Sequence, residues 1–296
     1  MSTVVSSLPG LAELDENAPD TGSQRWRLVI TPPRSLSLPN FRELIEAREV
    51  FNRFAQRDIT LRYRQTALGV AWVVLQPLLG AGILSFVFGR VAKLPTGGIP
   101  PLLYTFAGLI AWTAFSNVVN RGSTSLIGNS SLVSRVYFPR MVIPISTAGS
   151  TVCDFAVSTV FLGIMLGVYG VAPGAAIALT PLWLLLVLCL AAGVALIASS
   201  LMVSYRDIGY IVPFLLQILM FASPVAYSVG ALPAKYHIFF EVNPITWLLA
   251  DMRWSLLGQP RPGVMFLALS AVVPLLALLV GAMVFEKRER GFADFI

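Results

Sequence analysis

Between residues 67 and 88 the sequence contains no ionisable side chain, and two arginines stand just before this stretch. A helix rises about 1.5 Å per residue, so a segment of this length can cross the roughly 30 Å hydrocarbon core of a bilayer. Arg62 and Arg64 lie at its start. Because positive charges next to a span favour the cytoplasmic side, the stretch predicts a span whose N-terminal end faces the cytoplasm.

The composition extends this interpretation to the whole chain. Hydrophobic residues make up 56% and charged residues 12%, whereas about a quarter of the residues in a soluble domain are charged. The mean hydropathy is +0.76. These values predict an all-α polytopic membrane protein. Cys153 and Cys189 lie in apolar runs, which favours packing over a disulfide or a metal site.

Apolar runs predict six transmembrane helices. Most of the 21 lysines and arginines then lie on the side that holds both termini, which the positive-inside rule assigns to the cytoplasm. No basic patch is interleaved with aromatic residues in a polar region, so we expect no nucleic-acid partner. The predicted spans are about 67–88, 101–120, 141–169, 176–203, 208–229 and 263–285.

The segment before the first span divides into two parts. Residues 1–40 are polar and acidic and contain no apolar signal-peptide core, so we expect a disordered or loosely ordered cytoplasmic N-terminus. Over 41–60, Asn40 and Glu43 predict a helix start, and apolar residues recur on one face. This predicts an amphipathic interfacial helix, and the alternative is a helix packed on a soluble partner.

A further irregular region, 221–262, lies between the fifth and sixth predicted spans. Prolines interrupt it, and the apolar run 245–257 is too short to cross the membrane. Short apolar helices between spans are typical of re-entrant segments. We therefore expect outer re-entrant helices here, rather than a folded external loop.

Catalytic motifs are sparse. The sequence contains no G-x-x-x-x-G-K-[ST] phosphate-binding loop, so it does not predict ATP binding by this chain. His237 is the one histidine, and Asp154 is the one acid within the third predicted span. An intramembrane acid is a candidate functional residue because an unpaired charge in lipid is unfavourable. A structural hydrogen-bonding role and a substrate role both remain open for Asp154.

The predicted cytoplasmic loop 129–140 contains apolar and aromatic residues together with arginines. A short exposed helix of this kind is suited to docking in a groove on another protein. Packing against the chain's own interfacial helix is the alternative.

Several motifs resemble those of type-2 ABC transporter permeases. The branch they resemble most exports polysaccharides and polyol phosphates, and it comprises O-antigen, capsule and teichoic acid permeases. Each motif is weak alone, but they occur in order from about residue 40 to the end. They are Arg62-Tyr63-Arg64-Gln65-Thr66-Ala67-Leu68-Gly69 with Trp72 and Gln76-Pro77-Leu78, Val136-Tyr137-Phe138-Pro139, Tyr205-Arg206-Asp207-Ile208, Ser223-Pro224-Val225, Asn243-Pro244-Ile245-Thr246 and Glu289-Arg290-Gly291-Phe292-Ala293-Asp294-Phe295-Ile296.

The resemblance implies a permease domain over 41–296 that works as a homodimer in the bacterial cytoplasmic (inner) membrane. Two copies of a separate ABC ATPase subunit would bind ATP and Mg, so this chain would hold no cofactor or metal and would not be an enzyme. The substrate would be a lipid-linked polysaccharide, with O-antigen ahead of teichoic acid or capsular polymer. A drug or small-lipid exporter and a membrane-embedded polyprenyl-phosphate transferase fit the motifs less well.

The resemblance also assigns residues to roles. Arg62, Tyr63 and Arg64 would receive a phosphate-bearing head group at the cytoplasmic boundary, and anchoring of the span is the alternative. The 129–140 segment would be the coupling helix, acting through Ser131, Val133, Arg135, Tyr137, Phe138 and Arg140. Aromatic side chains would line a channel, although each could instead face lipid or a neighbouring helix. The lining candidates are Trp72, Phe86, Phe88, Tyr104, Phe106, Phe214, Phe221 and Tyr227.

Overall fold

The computed structural model describes residues 47–64, 69–133, 138–289 and 291–292. The predicted N-terminal segment 1–40 lies outside these residues, as does the beginning of the predicted interfacial helix. Arg135 and Tyr137 of the predicted coupling helix also lie outside them, together with the side chains of Arg64 and Val133.

Helix α1 (Arg48–Arg64) is the first helix among the described residues and occupies most of the predicted interfacial helix. Among the described residues, five further helices are long and apolar enough to cross a membrane. They are α2 (Ala71–Leu84, prolonged by the π-helical segment Ser85–Val91), α3 (Pro101–Gly128), α5 (Val142–Tyr169), α6 (Thr180–Ser204, preceded by the 3-10 segment Ala175–Leu179) and α10 (Val264–Glu289).

The remaining helices are shorter. They are α4 (Ser130–Val133), α7 (Ile208–Phe221), α8 (His237–Glu241) and α9 (Pro244–Leu257), with 3-10 turns at Val229–Ala231 and Ala234–Tyr236. The described part of the chain contains no strand. The prediction of an all-α polytopic membrane protein is confirmed.

The fifth predicted span, 208–229, is shorter as a helix than expected. Helix α7 has 14 residues, which extend about 21 Å and fall short of a ~30 Å hydrocarbon core. It ends where Ser223-Pro224 begins a turn, because proline lacks the N–H that the helix needs and disfavours helical geometry in the residue before it. The described residues therefore contain five helices of spanning length and one shorter apolar helix.

Helix α3 lies at the centre of the fold. It packs against α2, α5, α6, α7 and α9, and apolar side chains on all sides are buried, including those of Leu103, Phe106, Ile110 and Val118. A helix that is apolar all round is expected at such a position.

Helices α6 and α10 cross at two glycines. A Cβ at Gly193 would collide with the backbone of Ala277, and one at Gly281 would collide with the backbone of Gly193. In lipid, where no hydrophobic effect drives helices together, such small residues let backbones approach closely and increase van der Waals contact. This crossing fixes the C-terminal helix on the central bundle.

The region between α7 and α10 forms packed structure. Asn243 accepts a hydrogen bond from the backbone N–H of Ile245 (3.1 Å) and so caps α9. Its Nδ2 donates to Oγ of Ser223 (2.9 Å), where α7 has just ended. The Ser-Pro and Asn-Pro motifs, 20 residues apart, therefore meet in space. Helix α9 is buried over most of its length.

Candidate functional site

Helix α1 lies directly on α5. A Cβ at Gly149 would be 2.6 Å from Cβ of Ala55, so the two helices approach as closely as glycine permits. The ring of Phe54 packs beside that of Phe138, with centroids 5.9 Å apart. These contacts place the middle of α1 against α5 and against the residues just before it.

Asp154 has two partners from α1. Nη2 of Arg62 lies 2.8 Å from its Oδ2, and the Tyr63 hydroxyl donates to its Oδ1 at 2.6 Å. The sequence shows no basic residue beside this acid in its own span, and the structure supplies one from a different helix. Burial and the hydrogen bond to Asp154 both raise the pKa of Tyr63, so its hydroxyl stays protonated and donates.

A second acid extends this arrangement. Asp58 lies between Arg57 (3.2 Å) and Arg121 of α3 (3.5 Å). Nη1 of Arg121 donates to Oγ of Ser150 at 2.6 Å. We call Arg57, Asp58, Arg62, Arg121 and Asp154 the α1 charge cluster. It joins α1 to α3 and α5, and its three arginines outnumber its two aspartates.

A cavity of about 70 Å³ lies beside Arg62 and Asp154, between α2, α3 and α5. We call it the polar crevice. Thr113 and Asn117 are four residues apart on α3, and Asp154 and Ser158 are four apart on α5, so each pair shares a helix face. The remaining lining residues are Val73, Gln76, Pro77, Ile110, Ala114, Thr151 and Phe155.

The structure brings two of the three predicted head-group residues together. Arg62 and Tyr63 both contact Asp154, and Arg62 also lines the polar crevice. Gln76, Thr113 and Asn117 were not predicted as site residues. The sequence signal that could have identified them is a polar side chain inside an apolar run. On α3 this signal recurs at helical spacing, at Thr113 and Asn117. A contact between Arg62 and phosphate stays a prediction.

The predicted channel aromatics fall into two groups. Trp72, Phe86, Phe214 and Phe221 are exposed on α2, its π-helical continuation and α7. The others face the protein. Phe106 is fully buried against Phe161, and Phe88 packs on the buried Tyr227. The first group therefore lies on the surface of the bundle and the second within it, and the role of either group in lining a channel stays a prediction.

Tyr104, the remaining aromatic, has a separate partner. The buried Arg253 guanidinium lies 4.0 Å from its ring centroid. Nη2 of Arg253 also donates to the carbonyl oxygens of Pro224 (2.7 Å) and Val225. A Cβ at Gly108 would collide with this guanidinium. Arg253 thus holds the turn after α7 against α3, through cation–π and charge-assisted contacts.

Two of the predicted coupling residues contact the chain itself. Phe138 packs on Phe54 of α1, as in the alternative that the sequence left open. Nη1 of Arg140 donates to the backbone oxygen of Glu289 (3.2 Å), at the end of α10. Ser131 is exposed in the short helix α4. The C-terminal end of the predicted coupling segment is thereby attached to α1 and α10.

The sequence pattern of the family described as "ABC-2 type transporter" matches residues 49–257, which include both the α1 charge cluster and Arg253. The chain belongs to the ABC-2 type transporter family. The predicted resemblance to type-2 ABC permeases is confirmed.

The matches between this ABC-2 family member and its curated relatives cover nearly the full length of those relatives. The chain is 27% identical over 257 residues to the O-antigen export system permease protein RfbA of Myxococcus xanthus, covering 86% of this chain and 98% of the relative. It is 25% identical over 245 residues to the protein of that name in Klebsiella pneumoniae, with 81% and 92% coverage. Identity to the polysialic acid transport protein KpsM of Escherichia coli is 25% over 240 residues, with 79% and 92% coverage.

Proposed function

We propose that this chain is the membrane-spanning permease subunit of an ATP-driven exporter of lipid-linked polysaccharide, with O-antigen as the first candidate. The observation that carries the proposal is the match, over 92–98% of their length, to relatives named as O-antigen export system permeases and as a polysialic acid transport protein. Capsular polysaccharide is the second candidate, since one of those relatives is named for polysialic acid transport.

The proposed assembly lies in a bacterial inner membrane, with both termini in the cytoplasm. Helix α7 and the turn that follows it complete a sixth crossing, and α1 lies at the cytoplasmic interface. Helices α8 and α9 form the outer re-entrant pair. The burial of the 14-residue α9 among α3, α6 and α10 supports this placement.

Two copies of the chain would pair with two ATPase subunits, which would bind ATP and Mg. The 129–140 segment would seat in the ATPase. Phe138 and Arg140, at the C-terminal end of this segment, contact α1 and α10, respectively. A displacement of the segment would therefore pull on α1 and, through it, on the α1 charge cluster. That cluster has an excess of arginine, which supports attraction of a phosphate-bearing head group towards Arg62, Tyr63 and Arg64.

Depletion of the chain from its source bacterium tests the proposal. We expect one surface polysaccharide to disappear and to accumulate inside the cell on its lipid carrier, and the sugar composition of that polymer separates O-antigen from capsule. An ATPase that co-purifies with the chain, inactivated at its phosphate-binding lysine, should give the same phenotype. Unchanged surface polysaccharides together with no co-purifying ATPase would contradict the proposal.

A further inference from the structure

The polar crevice contains hydrogen-bonding groups that the protein leaves unused. The side-chain amides of Gln76 and Asn117 and the hydroxyl of Ser158 have no hydrogen-bond partner among the described residues, although all three line the cavity. Gln76 is exposed at the edge, Asn117 is half-buried and Ser158 is buried. Polar groups within membrane-spanning helices are unfavourable unless they find partners, so these groups are available to water or to a ligand.

The charges of the crevice are already matched. Arg62 is paired with Asp154, which is only 6% exposed. An anion that displaced this carboxylate from Arg62 would leave it buried with Tyr63 alone. Losing one partner of a buried pair is strongly unfavourable. A phosphate in the place of Asp154 is therefore disfavoured, whereas a neutral group can bind in the crevice and leave the Arg62–Asp154 pair intact.

The lining offers donors and acceptors in similar measure. Amide side chains provide both, Asp154 accepts, and Arg62 donates. A sugar hydroxyl also does both, so a mixed lining suits it better than it suits an anion, which only accepts. Val73, Pro77, Ile110 and Phe155 add apolar surface for the C–H groups of a sugar ring. The volume, about 70 Å³, holds several water-sized groups, which suits the hydroxyl-bearing edge of a ring rather than a whole saccharide.

We propose that the polar crevice binds the hydroxyl groups of a neutral sugar unit, with Gln76, Asn117 and Asp154 as the hydrogen-bonding residues. The inference rests on the proposed function and adds a sugar site to it, separate from any phosphate contact. The Arg62–Asp154 pair keeps the site neutral and fixes the orientation of the Asp154 carboxylate.

The test uses the full chain with its ATPase in proteoliposomes. Hydrolysis of ATP is measured against the concentration of lipid-linked glycan extracted from cells depleted of the chain, and also against polyprenyl phosphate without sugar. Asn117→Leu removes one crevice amide. Asn120→Leu is the matched control, because Asn120 is exposed one turn further along α3 and does not line the crevice.

We expect Asn117→Leu to raise the half-saturating concentration of lipid-linked glycan about fivefold to tenfold, the effect of one or two lost hydrogen bonds. Basal ATP hydrolysis and the response to sugar-free polyprenyl phosphate should stay at wild-type values, and Asn120→Leu should match wild type throughout. Equal weakening for both lipids, or no change for either, would overturn the sugar site. No stimulation of the wild-type protein by lipid-linked glycan would instead overturn the proposed function on which the inference depends.

Discussion

At the scale of single residues, Asp154 and Arg253 show two ways in which an apolar bundle accommodates charge. Asp154 receives an arginine and a tyrosine from another helix, and both contacts are short. Arg253 donates to backbone carbonyl oxygens and lies over the face of an aromatic ring. Each charge connects segments that are far apart in sequence. Substitutions at these positions should therefore also destabilise the helices and turns that they contact.

The Arg62–Asp154 pair should show strong energetic coupling. In a double-mutant cycle of Arg62→Ala and Asp154→Ala, we expect a coupling of about 1–3 kcal/mol, measured by thermal or denaturant unfolding in detergent. The matched cycle of Arg57→Ala and Asp58→Ala should give no more than about 0.5 kcal/mol, because the Arg57 side chain is 41% exposed. Equal coupling in the two cycles would contradict the structural role of the buried pair.

Arg253 should be required for stability. Arg253→Met keeps much of the volume but loses the carbonyl and cation–π contacts, so we expect destabilisation by about 2–4 kcal/mol. Arg261→Met is the control, since Arg261 is exposed and its guanidinium carbon lies 5.9 Å from the Trp254 ring centroid. A wild-type unfolding midpoint for Arg253→Met would show that the turn at Pro224 holds without the guanidinium.

Asp251 should make stability depend on pH. Burial raises the pKa of this carboxyl from 3.8 to about 6. The folded state therefore holds this proton more tightly than the unfolded state, and the stability that results is fully present below pH 4 and is lost as pH rises through 6. The wild-type free energy of unfolding should fall by about 2–3 kcal/mol between pH 4 and pH 8 from this group. Asp251→Asn should remove that part of the pH dependence, and an unchanged profile would contradict the assignment.

At the scale of helices, the spans could be predicted from the length of apolar runs, and their ends could not. Helix α3 continues past residue 120 to Gly128, and Arg121 in this extension pairs with Asp58 and Ser150 on neighbouring helices. Helix α7 ends early at the Ser-Pro turn. The partners of Asp154 depend on which helices meet, and one sequence does not contain that information. The polar crevice could not be predicted from the sequence for the same reason.

The contact between α1 and α5 depends on one small residue in each helix. Gly149→Ala would place two Cβ atoms 2.6 Å apart, closer than packing allows, so we expect destabilisation by about 1–3 kcal/mol despite the better helix propensity of alanine. The double variant Ala55→Gly with Gly149→Ala should recover stability beyond that of Gly149→Ala. Hydrogen exchange of α1 measures the effect, and no rescue would show that the clash is not with Ala55.

At the scale of the whole molecule, the two sides of the bundle differ. Helices α3, α6 and α9 are mostly buried, whereas α2 and α7 present large apolar side chains, including Leu79, Ile83, Tyr210 and Phe214. In a bilayer these surfaces would face lipid or the second copy of the chain. The position of α7 decides which segments lie on each side of the membrane, because it is the one predicted span whose helix is too short to cross alone.

Cysteine labelling tests whether α7 and the turn after it cross the membrane. In a chain with Cys153→Ala and Cys189→Ala, a single cysteine is introduced as Arg206→Cys before α7 or as Lys235→Cys after it, both at exposed positions. With an impermeant maleimide on spheroplasts, we expect labelling of Lys235→Cys and no labelling of Arg206→Cys until the membrane is permeabilised. Arg288→Cys reports the side of the C-terminus and should be labelled in the same way as Arg206→Cys if α7 crosses. If positions 206 and 235 react from the same side, α7 does not cross, and the assembly has five spans per chain with its termini on opposite sides.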